Sequence, residues 1–292
     1  MENSSKYGFT LIELLVVIAI IALLLSILAP ALSTVKVIAK EVVCRSNIKQ
    51  LAVALETYST NYDNKSLVSA AKLDDDDPSV CEPTMWFLLI APYMGDSQYT
   101  TDPTATLEGS MKILWCPSTK KPDEKLAWTT GAWGTPENRW RFHGQDLGGE
   151  GSYGLNTWIG GMDYDTQIYF QYINKRQVKA CSFRDTLPGR ANIPVFADSV
   201  WMGAIPMDVA QSNMFTTSGW PAQKPPPYTS DLGYTGDPLC EDAGMRRFCI
   251  DRHRKGINMS FVDGHAEKVK LEDLWSLKWN KTFKTIDHVD LK

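Results

Sequence analysis

Residues 9–32 read FTLIELLVVIAIIALLLSILAPAL, a run in which only Thr10, Glu13, Ser26 and Pro30 are not apolar. At 1.5 Å per residue it spans roughly 36 Å, enough to cross the ~30 Å hydrocarbon core of a bilayer. A helix buried in a soluble core keeps a polar face, and this run has none. A membrane-spanning helix is expected here. The whole-chain averages conceal it, since 292 residues, 43% hydrophobic content and a net charge of −4 describe an ordinary globular protein. Those averages exclude a disordered acidic chain, a collagen-like repeat and a basic nucleic-acid binder, so no nucleic-acid partner is expected.

Residues 1–8 are polar, carry Lys6 and end on Gly8. A secretory signal places its small-residue cleavage site after the apolar stretch. Here the conspicuous small residue comes before it, and Pro30 with a long helical pattern follows. The helix is therefore expected to be retained. Lys6-Tyr7-Gly8 followed by Phe9-Thr10-Leu11-Ile12-Glu13 resembles the class III signal of type IV prepilins and type II secretion pseudopilins. The resemblance implies cleavage after Gly8 by a prepilin peptidase that also methylates the new amino terminus, Phe9. It further implies a single-pass inner-membrane protein, surrounded by lipid before assembly, with its head in the periplasm. Inner-membrane assembly machinery and other copies of the chain are then the partners, and the destination is a pseudopilus or a cell-surface filament.

Glu13 has a physical reason in this frame. A lone carboxylate near the start of a membrane helix costs on the order of 2–4 kcal/mol unless it is partnered. The resemblance supplies the Phe9 amine of a neighbouring subunit, and a carboxylate facing the headgroups is the simpler alternative. Either way, a negative charge in the first turn complements the helix dipole. Pro30 lies where pilin helices often bend or loosen. Its missing N–H predicts a kink or a locally melted turn.

Beyond Pro30 the pattern becomes amphipathic. Leu32, Val35, Ile38, Val42, Leu51, Leu55 and Tyr58 recur mostly at steps of three and four, with Lys36, Lys40, Glu41, Arg45, Lys49 and Glu56 between them. One helix from Phe9 to about Tyr62 is expected, its second half laying a stripe on a globular head. Charge is segregated, with +2 on residues 1–50 and −6 on the rest. The organisation expected is a leader at 1–8, a membrane and assembly helix at 9–32, its amphipathic continuation at 33–62 and an exported head at 63–292. Frequent Gly, Pro, Asn and Asp breaks, with β-type runs at 167–173, 193–197 and 257–262, make the head α+β. The fold class expected is pilin-like, a long N-terminal helix on an antiparallel sheet with long loops.

The sharpest head motif runs from Arg252 to His265. Asp263-Gly264 between two strand-like runs predicts a two-residue type I′ hairpin turn. His253, nine residues and then Asp263-Gly264 resemble the H-X9-DG element of a family of prepilin-type proteins. Residues 44–51 (CRSNIKQL), 115–118 (WCPS) and 152–156 (SYGLN) look like that family's stem, Cys-Pro-Ser and Tyr-Gly-x-Asn elements. In a straight strand His253 and Asp263 sit roughly 33 Å apart and meet only if the chain folds back near Gly256. A turn-plus-core role, a metal or partner contact and catalysis are the readings open for His253. His265 is expected to oppose Val262 across the turn as a surface histidine.

No catalytic constellation is present: GxSxG and HExxH are absent, and no enzyme is expected. Asp74–Asp77 and the group Asp231, Asp237, Glu241 and Asp242 are candidate Ca²⁺ ligands or solvated loops, with no EF-hand spacing. Zinc is not expected, for want of CxxC or CxxH spacing. Six cysteines suit an exported head. Cys240–Cys249 is the preferred disulfide and Cys44–Cys116 the weaker one. Ten tryptophans either fill a loop-rich core or form a carbohydrate-stacking surface, the basis of an alternative reading as a pilin-anchored binding module.

Overall fold

The computed structural model describes residues 10–61, 72–73, 81–82, 86–94, 112–123, 127–128, 131–132, 134–143, 148–159, 183, 189–204, 206 and 244–287. Helix α1 (Leu11–Asn61) is a single 51-residue element. Thr10 and Glu13 open it as a capping box. The Thr10 backbone N–H and hydroxyl both donate to Glu13 Oε2, at 2.8 and 2.7 Å, and the Glu13 N–H reaches back to Thr10 Oγ1 at 3.3 Å. α1 continues through Pro30, so the expected melted turn is absent. Proline removes one N–H from a long ladder, and the Pro30 carbonyl itself accepts the Ser33 hydroxyl at 2.8 Å.

The chain divides into two compact units, Met1–Lys40 and Glu41–Lys292. In the first, the apolar side chains of α1 from Leu11 to Ile38 are exposed, Leu11 at 78% and Leu32 at 53%. That segment is long and apolar enough to cross a membrane.

The second unit holds the last twenty-odd residues of α1 and the head. Here the expected stripe is corrected. Val42 is 49% exposed, whereas Cys44, Ile48 and Leu51 are fully buried and Leu55 nearly so. Val42 and Leu51 are nine residues, or about two and a half helical turns, apart and so point to opposite sides. The buried stripe is Cys44, Ile48, Leu51 and Leu55, at steps of four, three and four.

In chain order the strands are β1 (Lys72–Leu73), β2 (Cys81–Glu82), β3 (Ala127–Trp128), β4 (Gly131–Ala132), β5 (Trp140–His143), β6 (Gly148–Gly151), β7 (Tyr153–Asn156), β8 (Pro194–Asp198), β9 (Gly203–Ala204), β10 (Gly256–Phe261) and β11 (Ala266–Lys270), with a short helix α2 (Trp86–Ile90) after β2. β1 and β2 pair as a ribbon, β3 to β6 form a four-stranded antiparallel meander, and the central sheet has the order β11-β10-β8-β7-β9. Among the described strands only the β7–β9 pair is parallel. The expected strands at 193–197 and 257–262 are β8 and β10; the expected strand at 167–173 lies outside the described residues.

The central sheet is covered on both faces, as the unbroken burial of β8 and β10 requires. One apolar cluster joins the α1 stripe to Trp86, Phe87, Trp140, Leu155 and Phe196. A second joins Ile257, Met259 and Phe261 of β10 to Phe248, Leu274 and Trp279. Period-two alternation sends Asn258 to the other side, where its amide donates to the Glu41 carbonyl at 3.4 Å. Lys268 on β11 adds an ion pair to Glu41 at 3.2 Å.

Candidate functional site

Two places carry the residues singled out from the sequence. One is the start of α1. Gly8 and Phe9, the expected cleavage and methylation positions, lie outside the described residues. Glu13 is described, and its carboxylate closes the capping box with both bonds on Oε2. The Thr-x-x-Glu spacing at 10–13 was a readable signal for that box.

The other place is the buried junction between α1 and the head. His253 is 2% exposed and lies among Cys44, Cys116 and Asp198, exposed 0%, 1% and 0%. Their ligand atoms all fall within 4.8 Å of one another. His253 Nε2 is 3.3 Å from Cys44 Sγ, 3.6 Å from Cys116 Sγ and 3.2 Å from Asp198 Oδ2. Cys44 Sγ is 3.5 Å from Asp198 Oδ1. Each residue comes from a different element: Cys44 from α1, Cys116 from the loop after a 3₁₀ turn at Lys112–Leu114, Asp198 from the end of β8 and His253 from the segment before β10.

Local geometry explains how His253 arrives there. The His253 N–H donates to the Gly256 carbonyl at 3.0 Å, and Arg254 and Lys255 between them take positive φ of 55° and 59°. Two successive left-handed residues are the mark of a type I′ turn, here built without glycine at a cost of roughly 1–2 kcal/mol per residue. Gly256 is required next, because a Cβ there would meet the Val269 carbonyl oxygen at 2.8 Å. The chain does fold back near Gly256, and it carries His253 into the core rather than towards Asp263.

Asp263 and Gly264 sit at the other end of the hairpin. The expected type I′ turn is replaced by a three-residue loop: Gly264 N–H donates to the Phe261 carbonyl at 2.9 Å and Phe261 N–H to the His265 carbonyl at 3.0 Å. Only Gly264 is left-handed, at φ 85°. This is a type I turn closed by a glycine bulge. His265 therefore opposes Phe261, not Val262, and stacks on its ring at 4.3 Å between centroids. Its Nδ1 meets the Asp263 carboxylate at 2.5 Å.

Arg252 and Asp198 escaped the sequence reading. The guanidinium is fully enclosed and uses all five of its N–H donors: Nε on the Pro136 carbonyl, Nη1 on the Ser152 carbonyl and Asp198 Oδ1, Nη2 on the Thr135 and Ser199 carbonyls. The Asn258 N–H adds a 2.8 Å bond to Asp198 Oδ2. Burial pushes the Asp198 carboxyl up, but the His253 and Arg252 charges hold it below its ordinary value. Burial pushes the His253 imidazole down, and the facing Asp198 charge outweighs this and raises it to about 10. The hydrogen bond from Cys44 lowers the Cys116 thiol to about 5, with burial opposing, while burial drives Cys44 far upward.

Asp198 and Cys116 approach the same imidazole nitrogen, so the ring cannot relay a proton between them as a nucleophile's base does. Cys44 and Cys116 are brought together as free thiols with His253 Nε2 close to both. Cys249 is likewise a buried free thiol, raised to about 12 by burial; Cys240 lies outside the described residues. So do the candidate Ca²⁺ ligands Asp74–Asp77, Asp231, Asp237, Glu241 and Asp242. Trp86, Trp140, Trp158, Trp201, Trp275 and Trp279 are buried, and Trp115 is half-buried beneath the Arg139 guanidinium at 4.1 Å. Among the described tryptophan side chains none forms an exposed stacking face.

No curated protein and no solved structure matches the chain. The family of the prokaryotic N-terminal methylation motif matches residues 3–29, the stretch that contains Gly8, Phe9 and Glu13 and runs into the exposed apolar part of α1. The chain thus carries the amino-terminal methylation motif of prepilin-type proteins.

Proposed function

We propose that the chain is a structural subunit of a type IV pilus or type II secretion filament, cut after Gly8, methylated on Phe9 and assembled through its N-terminal helix. The carrying observation is the methylation motif at residues 3–29, continuous with a helix whose first thirty or so residues bury nothing within the single chain. In lipid those side chains are solvated by acyl tails, and outside lipid they need the helices of other subunits. Glu13 is the polar group in that apolar surface able to meet a neighbour's Phe9 amine, since the capping box occupies only its Oε2. The head is a passenger held on the far half of α1, in the periplasm before assembly and on the filament afterwards.

Mass spectrometry of the mature amino terminus tests this. Methyl-Phe9 is the expected first residue; an intact Met1, or cleavage beyond Leu32, refutes it. Glu13→Ala should leave processing intact and reduce filament yield, and a normal yield removes Glu13 from assembly.

A further inference from the structure

We propose that Cys44, Cys116, Asp198 and His253 form a closed tetrahedral Zn²⁺ site that staples α1 to the head. The inference concerns the second compact unit alone and stands whether or not the chain assembles into a filament.

The distances are those of a tetrahedron's edges. With Zn–S of about 2.3 Å and Zn–N or Zn–O of about 2.05 Å, tetrahedral geometry places an S···N or S···O pair about 3.5 Å apart and an N···O pair about 3.3 Å apart. The observed separations are 3.3 and 3.6 Å for sulfur to His253 Nε2 and, to the one carboxylate oxygen Asp198 Oδ2, 3.7 Å from Cys44 Sγ and 3.2 Å from Nε2. The remaining pairs stay within 4.8 Å. Two soft sulfurs, one imidazole and one carboxylate in this arrangement select zinc over calcium or magnesium, which take oxygen ligands.

Hydrogen bonding alone leaves the cluster frustrated. Nε2 carries at most one proton, yet two sulfurs and a carboxylate oxygen crowd it at 3.2–3.6 Å. A cation at the common centre meets all three at once. The buried Tyr153 hydroxyl faces Cys44, and a metal-bound thiolate there is a strong acceptor for it. Charge also closes. Two thiolates and a carboxylate carry −3, Zn²⁺ and the enclosed Arg252 guanidinium carry +3, and His253 ligates neutral. Every proton held on the two sulfurs and on His253 Nε2 is released to solvent on binding.

The surroundings have the character of a structural site. Four protein ligands leave no open position for water or substrate, and all four side chains are buried. Asp198 is oriented by Arg252 and by the Asn258 N–H, the outer-shell support that metal-ligating carboxylates need. His253 is fixed by the left-handed pair Arg254-Lys255, a costly conformation of the kind that persists where function demands it. The absence of CxxC spacing is no objection, because the ligands come from four elements separated by up to 209 positions.

The test uses the full chain purified in detergent, reconstituted with Zn²⁺ and passed over chelating resin. One zinc per chain is expected, with two sulfur and two nitrogen or oxygen neighbours in X-ray absorption at the zinc edge. Co²⁺ in its place should give tetrahedral visible absorption and a thiolate charge-transfer band. Cys116→Ser should weaken zinc binding by more than the roughly 10–100-fold that loss of an outer-shell partner costs, and Tyr153→Phe should fall within that range. If Cys116→Ser does not fold, the wild-type sulfur count still decides. Zinc far below one per chain, a shell without sulfur, or an intact mass two hydrogens light from a Cys44–Cys116 disulfide overturns the proposal.

Discussion

Replacing Arg252 by lysine keeps the charge and isolates the geometry of its five hydrogen bonds. Lysine offers three donors from one nitrogen, whereas the site presents four carbonyls and the Asp198 carboxylate. At least two of these acceptors lose their partner while remaining buried. At about 1–3 kcal/mol for each orphaned group, Arg252→Lys should destabilise the head by roughly 2–6 kcal/mol. Against the 5–15 kcal/mol typical of a folded domain this is a large share, and for a unit of this size it corresponds to a fall in Tm of about 5–20 °C. Thermal unfolding of the detergent-solubilised chain, followed by the fluorescence of the buried tryptophans, measures it. Arg254→Lys is the matched control, because Arg254 is exposed two residues away. A fall of less than about 1 °C for Arg252→Lys, or equal falls for both variants, would show that the five-bond geometry does not stabilise the head.

The same unfolding assay checks two further expectations. Leu51→Ala, at a fully buried position of the α1 stripe, should cost about 2–5 kcal/mol, whereas Val53→Ala, 56% exposed on the same helix, should stay within about 0.5 kcal/mol; similar losses at both would refute the assigned face. Gly264→Ala should cost about 1–2 kcal/mol through its φ of 85° alone, since nothing lies within 4 Å of the added carbon. Gly154→Ala should cost more than Gly264→Ala, because the new carbon lands 2.5 Å from the Trp201 carbonyl oxygen, and the reverse order would overturn the packing around β7.

What was legible in the sequence was what local pattern determines. The apolar run from Phe9 to Leu32 marked a long helix, and the run from Ile257 to Val262 marked a strand, although its burial on both faces, Asn258 and Ser260 included, is set by tertiary packing. Asp-Gly correctly marked a hairpin but not its turn type, because one left-handed residue or two satisfy the same dipeptide. The stripe on α1 was read through Val42 into Leu51, a phase error of half a turn that only the contact with the head corrects. The buried cluster was hidden for a different reason. Cys44, Cys116, Asp198 and His253 meet through tertiary folding alone, and no spacing in the chain encodes their approach; Asp198 in particular looks like any polar residue at a strand end.

The continuity of α1 has a mechanical consequence. A helix without a break transmits tension along its axis, so load taken up by residues 11–40 arrives at the head first through Cys44, the first buried residue of α1. The four residues of the stripe resist in shear, sharing the load across more than two turns rather than peeling one contact at a time. Cys44 is both the leading edge of that grip and the point where the helix meets Cys116, Asp198 and His253. A pull along the helix therefore meets this buried cluster before it reaches Ile48, Leu51 and Leu55.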